Sequence, residues 1–427
     1  MFVYEATKVK HKVPPSYSRA EDSTRSLNGR RDDAIFKVSP IPAVFSILAI
    51  MAIPAILAIF PSGTLPALLA IIKGWHMAQI DLNTGAPARI TVGHYNGVDA
   101  PLSYGDTAAE LAELRSGCGV FQLGWRGLIT AAGKDRVRWL HNMTTNNVRD
   151  LAPNRGVYAF VLNHQGRILG DITIYNLGES LLLETDRSQI EPLLTAMKRY
   201  IIMDKVELAD AREQFSSIGV CGPKSADVLT KAGFDVSGME PLELREQNVS
   251  GITCRVNRGG EQKPGWYEIW CSAHDAERLS DLVHQAGAKS VGTEALEQWR
   301  VLHGIPQYGQ DIRDRDLPQE TGQTQALNFT KGCYIGQEIV ERIRSRGQVH
   351  RKFVGFDFGD SLVAPGKFEA DGRTLAEVTT SLHVNVDGSV KNIGLGYVRH
   401  EALSDEGTVE LGGKSVRIVD LPFESID

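Results

Sequence analysis

The octapeptide KGCYIGQE, residues 331–338, carries the most specific chemical pattern in the chain. Cys333 lies between the cation of Lys331 and the predicted start of a helix, and two glycines allow the backbone to approach a ligand closely. A neighbouring cation and a helix N-terminus both favour the ionised form of a thiol. The pattern therefore predicts a reactive Cys333 assisted by Lys331. The alternative is an inert cysteine at a glycine-containing helix start.

The segment after the octapeptide is rich in basic residues. These are Arg342, Arg344, Arg346, His350, Arg351 and Lys352. An anionic ligand or partner near Cys333 would meet a locally positive surface. We expect residues 331–350 to form the cysteine signature and a connecting helix.

Composition excludes several classes of protein. The 427 residues carry 46 Lys and Arg against 52 Asp and Glu, a net charge of -6, which does not provide the overall basic field typical of non-specific nucleic-acid binding. The five cysteines are scattered and form no CxxC pair. This pattern predicts neither a disulfide framework nor a structural metal site, and it favours a reducing, cytoplasmic compartment.

The first 76 residues differ from the rest of the chain. No charged residue lies between Lys37 and Lys73, and the run 41–60 is long enough on hydropathy to cross a bilayer. Four prolines, at 42, 54, 61 and 66, interrupt residues 41–72, so a kinked span or a hydrophobic hairpin is as compatible with the sequence as a straight helix. Two explanations stay open: membrane association through residues 41–72, or a true start at Met77.

From residue 77 onward, paired strands alternate with helices. We expect strands at 120–131, 158–162, 168–175 and 180–184 and a helix at 189–200, followed by a similar succession up to residue 303. This alternation predicts an α+β body built from two related half-domains over residues 77–330. Short strands separated by turns in residues 351–427 predict a small C-terminal β-barrel.

The octapeptide, preceded by Leu327-Asn328-Phe329 and followed by a basic stretch ending in His350-Arg351-Lys352, resembles the signature of YgfZ-type folate-binding proteins. These are relatives of the aminomethyltransferase, or T-protein, of the glycine cleavage system. The resemblance implies a T-protein-like ring of two ferredoxin-like α+β half-domains and a C-terminal β-barrel. It also implies that tetrahydrofolate is bound in a central channel.

The resemblance assigns candidate site residues in the first half-domain. The segment 162–167, which contains Asn163, is followed by Asp171 and is similar to the T-protein segment with two adjacent aspartates facing a folate nitrogen. The first of that pair is Gly170 here, so the resemblance retains one carboxylate, Asp171, to orient or protonate an amine. Asn163 is a candidate folate contact.

Three further folate contacts are implied in the second half-domain and the loop after it. Glu268 matches the glutamate that binds the pterin, and a carboxylate accepts paired hydrogen bonds from an aminopyrimidinone edge. Arg300 with Tyr308 is similar to the T-protein stretch whose arginine contacts folate. Glu320, in the loop before the octapeptide, is a further candidate. The alternatives are an exposed strand acid for Glu268, a helix-surface salt bridge for Arg300 and an exposed loop acid for Glu320.

Three functions are compatible with these features. The resemblance favours a tetrahydrofolate-binding accessory protein for iron–sulfur cluster assembly or repair that acts through Cys333, with iron–sulfur client or assembly proteins as partners. A tetrahydrofolate-dependent aminomethyl or methyl transferase, with Asp171 positioning the reacting nitrogen, is the first alternative. The second alternative is a membrane-tethered scaffold without catalytic activity.

Overall fold

The computed structural model describes residues 90–347 and 349–423, without the side chain of Arg346. The predictions for residues 1–76, including the membrane association of residues 41–72, lie outside these ranges. Among the described residues, no helix is long and apolar enough to span a bilayer.

The described residues form nineteen strands and seven α-helices. The strands are β1 (Thr91–Tyr95), β2 (Val98–Ser103), β3 (Gly119–Gln122), β4 (Arg126–Ala132), β5 (Gly156–Leu162), β6 (Ile168–Asn176), β7 (Leu181–Asp186), β8 (Glu207–Asp210), β9 (Ser216–Cys221), β10 (Leu244–Val249), β11 (Ile252–Arg258), β12 (Tyr267–Cys271), β13 (Lys289–Ser290), β14 (Arg351–Gly359), β15 (Gly366–Ala370), β16 (Arg373–Val386), β17 (Ser389–Arg399), β18 (Thr408–Leu411) and β19 (Lys414–Val419). The helices are α1 (Thr107–Ser116), α2 (Arg136–Met143), α3 (Arg187–Lys198), α4 (Ser225–Lys231), α5 (Ala276–Gln285), α6 (Thr293–Leu302) and α7 (Gln337–Arg346). Short 3-10 turns occupy Pro318–Thr321, Thr324–Ala326 and His400–Ala402.

The first half-domain is an antiparallel sheet in the order β5-β6-β7-β4-β8. Side chains alternate between the two faces of a strand, so Ile172 and Ile174 of β6 enter the core. Leu193 and Met197 of α3 belong to the same buried cluster. The other face of β6 is left free to line a cavity.

The second half-domain is a six-stranded sheet in the order β10-β11-β12-β9-β3-β13, in which the short β13 pairs parallel to β3. Helices α4 and α5 cover it. Leu229 of α4 and Leu279 of α5 are fully buried in a cluster with Val256 and Ile269 of the sheet. The two half-domains thus repeat the same arrangement of antiparallel strands packed against helices.

The C-terminal strands form a third sheet in the order β15-β16-β17-β14-β19-β18. A bulge between Val378 and Thr380 of β16 interrupts its pairing with β17, and such bulges bend and twist a sheet. The sheet is a curled half-barrel. The T-protein-like α+β fold class predicted from the sequence is confirmed.

The single strand expected at 120–131 is wrong. The structure divides it into β3, which belongs to the second half-domain, and β4, which belongs to the first. Between them the chain turns, and the Arg126 N–H donates to the Leu123 carbonyl at 2.9 Å. Leu123 and Trp125 are both buried. The apolar pattern therefore continues across the turn, and the sequence does not show where β3 ends and β4 begins.

Candidate functional site

A cavity of about 580 Å³ is lined by residues of both half-domains and of the loop after α6. Strand β6 contributes Asp171, Thr173 and Tyr175, which are two residues apart and share one face. The structure places four of the sequence-predicted site residues on this cavity: Asp171, Glu268, Arg300 and Tyr308. The other four, Asn163, Glu320, Lys331 and Cys333, are not among its lining residues.

Two neighbours fix the Asp171 carboxylate. The Tyr158 hydroxyl donates to Oδ2 at 2.7 Å, and the Gln189 amide donates to Oδ1 at 2.8 Å. The Gln189 carbonyl oxygen in turn accepts the Asp171 backbone N–H at 3.0 Å. Burial and the Asp171 charge raise the pKa of Tyr158, so its hydroxyl remains a donor. Asp171 therefore presents an oriented acceptor at the cavity wall.

Gly170 lies on the opposite face of β6. A Cβ atom at this position would approach Gln189 Oε1 and Leu193 Cδ2, each at 2.8 Å, on the side of α3. A side chain at 170 would therefore enter the packing between sheet and helix rather than the cavity. The glycine at this position removes no carboxylate from the cavity wall.

Glu268 of β12 is buried on the side of the second half-domain. The Trp266 indole N–H donates to one carboxylate oxygen at 2.9 Å, and the Trp270 indole N–H lies 3.4 Å from the other. Burial, followed by repulsion from Glu184, raises the pKa of Glu268. The two indoles hold the carboxylate in one orientation towards a ligand.

An ion cluster on the cavity wall was missed by sequence reasoning. Arg126 donates to Glu184 and, at 2.5 Å, to Asp186 Oδ1. Burial raises the pKa of Asp186, while the charge of Arg126 opposes that shift. The acidic residues at alternate positions of the strand 181–186, Glu184 and Asp186, were the sequence feature that could have indicated this cluster. Their partner Arg126 lies across the sheet, and only the register of β4 with β7 brings it there.

Arg300 reaches the cavity with its N–H groups already bonded within the protein. Nε donates to Glu297 at 3.0 Å and Nη1 donates to Asp311 and the Ile305 carbonyl, both at 2.6 Å. Nη2 donates to Glu297 and lies 3.4 Å from the Thr380 hydroxyl. This side chain ties α6 to the following loop and to the C-terminal sheet. Its guanidinium has no spare donor for a ligand.

Tyr308, Asn163 and Glu320 have distinct local roles. The Tyr308 hydroxyl donates to the Leu169 carbonyl at 2.8 Å, which leaves the ring to line the cavity. Asn163 Oδ1 accepts the backbone N–H groups of residues 165 and 167, as in a tight turn. Glu320 accepts from Arg351 Nη2 at 2.9 Å, away from the cavity. The structure thus gives Asn163 and Glu320 intramolecular partners at positions outside the cavity lining.

The octapeptide is anchored by Lys331. Its buried ammonium donates to the carbonyls of His141, of Thr144 at 2.5 Å and of Asn146 at 2.8 Å. Burial, followed by the charge of Arg149, lowers the pKa of Lys331 to about 7. All three N–H groups of Lys331 therefore bind the chain at the end of α2, which differs from the predicted role beside the thiol.

Cys333 is exposed, whereas Cys118, Cys221, Cys254 and Cys271 are buried. Gly336, at the N-terminus of α7, has φ +82°, and a Cβ there would lie 2.6 Å from the Asn163 carbonyl oxygen. Only glycine tolerates both the conformation and the contact. The glycine of the signature therefore serves the close packing of the octapeptide on the turn that contains Asn163.

Comparison with known proteins identifies the family. The profile of the GCVT N-terminal domain matches residues 85–331, more than half of the chain. The chain belongs to the GCVT family. Among its relatives is an aminomethyltransferase of Thermoanaerobacter pseudethanolicus, 28% identical over 323 residues that cover 74% of this chain and 85% of the relative. An aminomethyltransferase of Bacillus subtilis is 27% identical over 344 residues, covering 77% and 94% of the two chains.

A solved structure shows the same fold. The glycine cleavage system aminomethyltransferase T from Bartonella henselae superposes with a TM-score of 0.70 at 21% identity, over 79% of this chain and 94% of that one. The sequence-based recognition of a T-protein relative is confirmed at the level of the GCVT family.

The cavity of this GCVT protein fits a folate, the cofactor predicted from the sequence and consistent with a folate-binding family. Its volume lies in the usual range for small-molecule sites, roughly 300–1,000 Å³. Asn257 Nδ2 is a buried donor without a partner among the described residues, while its Oδ1 accepts the Tyr175 hydroxyl at 3.2 Å. Glu268 offers acceptors and Asn257 a donor, which are complementary to the mixed edge of a pterin.

Proposed function

We propose that this chain binds tetrahydrofolate in the cavity and transfers an aminomethyl or methyl group to it. The observation that carries the proposal is the oriented Asp171 carboxylate on the cavity wall. Gly170, which replaces the first of the two adjacent T-protein aspartates, faces α3 instead of the cavity. The curated relatives named aminomethyltransferases support the same class of reaction.

Some residues of the cavity bind the folate, and others handle the proton of the reacting nitrogen. Glu268 accepts hydrogen bonds from the amino-pyrimidinone edge of the ligand, and Asn257 donates to it. Tetrahydrofolate supplies the nitrogen that receives the one-carbon unit. Asp171 would accept a hydrogen bond from the reacting amine and take the proton that this nitrogen loses when it bonds to the transferred carbon. The bond between that carbon and the donor would break, with its electron pair leaving on the donor. Tyr158 and Gln189 keep the Asp171 carboxylate in place.

The test is incubation of the full chain with tetrahydrofolate and candidate aminomethyl or methyl donors, with the folate product measured by chromatography. Asp171→Asn is expected to lower the rate by roughly 10²- to 10⁴-fold, the usual contribution of a general acid or base, with folate binding retained. Glu268→Gln is expected to weaken binding in calorimetry. Asp150→Asn, at an exposed position outside the cavity, is the control. Absence of any folate product above background with the unaltered protein rejects the transferase.

The second candidate is a YgfZ-type accessory role in iron–sulfur cluster assembly or repair, acting through Cys333. The observation that favours it is the exposure of Cys333, the one cysteine that a client or assembly protein could reach directly. Such a protein would exchange a thiol or a transient metal bond with Cys333 while a folate occupies the cavity. A cytoplasmic location suits either function.

Cells carrying Cys333→Ala decide this role. The accessory function predicts a loss of cluster-dependent enzyme activity during oxidative growth, while the purified variant keeps the folate affinity and transfer rate of the unaltered chain. Full activity of those enzymes in the variant cells removes the proposal. The membrane-tethered scaffold depends on residues 1–76, and fractionation with mass spectrometry of the native N-terminus tests it.

A further inference from the structure

A second cavity, of about 230 Å³, opens on the C-terminal sheet and shares no lining residue with the folate cavity. Four of its lining residues are cationic and one is anionic. We call it the basic pocket: Arg315, Arg351, Lys367, Arg399 and Glu377, with Thr374, Leu375, Ala376 and Tyr397.

The register of the sheet places these cations on one face. Lys367 of β15 lies opposite Glu377 of β16, which lies opposite Tyr397 of β17. Arg351 of β14 lies directly opposite Arg399 of β17. Directly opposed residues of an antiparallel pair share a face, and like charges at such positions destabilise the pairing. The opposed Arg351 and Arg399 side chains therefore repel each other to the extent that nearby carboxylates or a bound anion do not offset their charges.

Protein carboxylates bind Arg351 and Arg315 of the basic pocket directly. Arg351 Nη2 donates to Asp316 at 2.6 Å and to Glu320 at 2.9 Å. Glu377 accepts from Arg315 at 2.7 Å, and Arg351 Nη1 lies 3.4 Å from it. Arg351 also lies over the Tyr397 ring, 4.3 Å from its centre. These contacts hold the side chains of Arg351 and Glu377 in place at the base of the basic pocket.

The rim of the basic pocket holds unused donors. The Lys367 ammonium makes no hydrogen bond or ion pair with the residues that the structure describes. Arg399 donates through Nε to the Thr374 carbonyl at 2.9 Å and approaches Glu401 through Nη1 at 3.5 Å, which leaves Nη2 without a protein partner in the described ranges. Arg315 uses only Nη2 and has a side chain 48% exposed. Donors from three separate elements thus surround one small space.

We propose that the basic pocket binds a small phosphate-type oxyanion, either free phosphate or the phosphate group of a small ester, between Lys367, Arg399 and Arg315. A doubly charged tetrahedral anion would accept hydrogen bonds from the unused donors and relieve the repulsion across the Arg351–Arg399 pair. The pocket is smaller than the usual site for a drug-sized ligand. Guanidinium groups match the geometry of phosphate oxygens, and their charge strengthens the hydrogen bonds.

The test is calorimetric titration of the full chain with inorganic phosphate, methyl phosphate and succinate, at constant ionic strength set by sodium chloride. We expect saturable binding of phosphate, about tenfold weaker in Lys367→Gln and in Arg399→Gln. Equal binding of methyl phosphate supports an ester as the natural source, and its weaker binding supports free phosphate. Arg417→Gln, which removes an exposed cation of the same sheet outside the pocket, is expected to leave binding unchanged.

Three results would overturn the proposal. One is the lack of saturable phosphate binding by the unaltered chain, and another is tighter binding of succinate than of phosphate. The third is equal weakening by Arg417→Gln and Lys367→Gln, which would indicate only a diffuse surface potential. Because the Lys367 ammonium bonds to no described residue, Lys367→Gln decides the matter even where Arg399→Gln is unstable. Folate binding in the other cavity is expected to be unchanged in each variant.

Discussion

Introducing an aspartate at Gly170 tests the assignment of strand faces on which the proposed transferase depends. A Cβ at this position meets Gln189 Oε1 and Leu193 Cδ2 at 2.8 Å, so Gly170→Ala already requires the helix side to shift. Overpacking of this kind costs about 1–3 kcal/mol. Gly170→Asp also places a carboxylate without a partner on the buried face, which is expected to lower the free energy of unfolding by on the order of 3 kcal/mol more. It also displaces Gln189, which holds Asp171.

Urea unfolding followed by circular dichroism measures the free energy of unfolding, and the transfer assay measures activity. We expect Gly170→Ala to lose stability and activity together, and Gly170→Asp to lose more of both. Gly366→Ala and Gly366→Asp are matched controls, because Gly366 lies in strand β15 with no atom within 4 Å of the added Cβ. Unchanged stability of Gly170→Asp with increased activity would show that the side chain at 170 faces the cavity, and the reasoning would be refuted.

Three further predictions concern buried charges. Lys331→Met leaves three buried carbonyls without their donor and is expected to lower the free energy of unfolding by about 3 kcal/mol. A loss below about 1 kcal/mol in urea unfolding would contradict the anchoring role of Lys331. Burial, followed by the charge of Lys331, lowers the pKa of His141 from 6.5 to about 4. As the pH falls, His141 therefore binds a proton in the unfolded chain before it does so in the folded chain, and the free energy of unfolding decreases by roughly 3 kcal/mol between about pH 6.5 and about pH 4. Unfolding midpoints measured at several pH values should show a smaller decrease in His141→Gln. Identical pH profiles of the two proteins would argue against this role of His141. Arg300→Lys keeps the charge but loses the planar set of donors, and it is expected to lower the free energy of unfolding by about 2–4 kcal/mol. Weaker folate binding at unchanged stability would instead indicate that Arg300 contacts the ligand directly.

Local pattern predicted much of the first half-domain. The strands expected at 158–162, 168–175 and 180–184 correspond to β5, β6 and β7, and the helix at 189–200 corresponds to α3. These elements were predictable because each has a regular apolar period and ends at a turn. The strand expected at 120–131 failed because buried Leu123 and Trp125 maintain that period through the turn where the chain changes sheets.

The cavity residues divide in a similar way. Asp171 and Glu268 were assigned from short motifs, and the structure places both on the cavity. Arg126 was missed because its partners are about 60 residues away in the chain and become neighbours only when β4 pairs with β7. Glu320 was assigned to the ligand because its sequence position could not reveal Arg351, which binds it in the folded chain.

The sequence by itself determined the α+β class, the T-protein-like order of elements and the octapeptide around Cys333. These depend on periodicity and on short motifs, which are local properties of the chain. Only the tertiary structure decided that Gly170 faces a helix, that Lys331 is committed to three backbone carbonyls and that Cys333 is exposed apart from the cavity lining. Such properties arise from strand pairing and close packing between distant segments, and no local pattern records which donors and acceptors will meet.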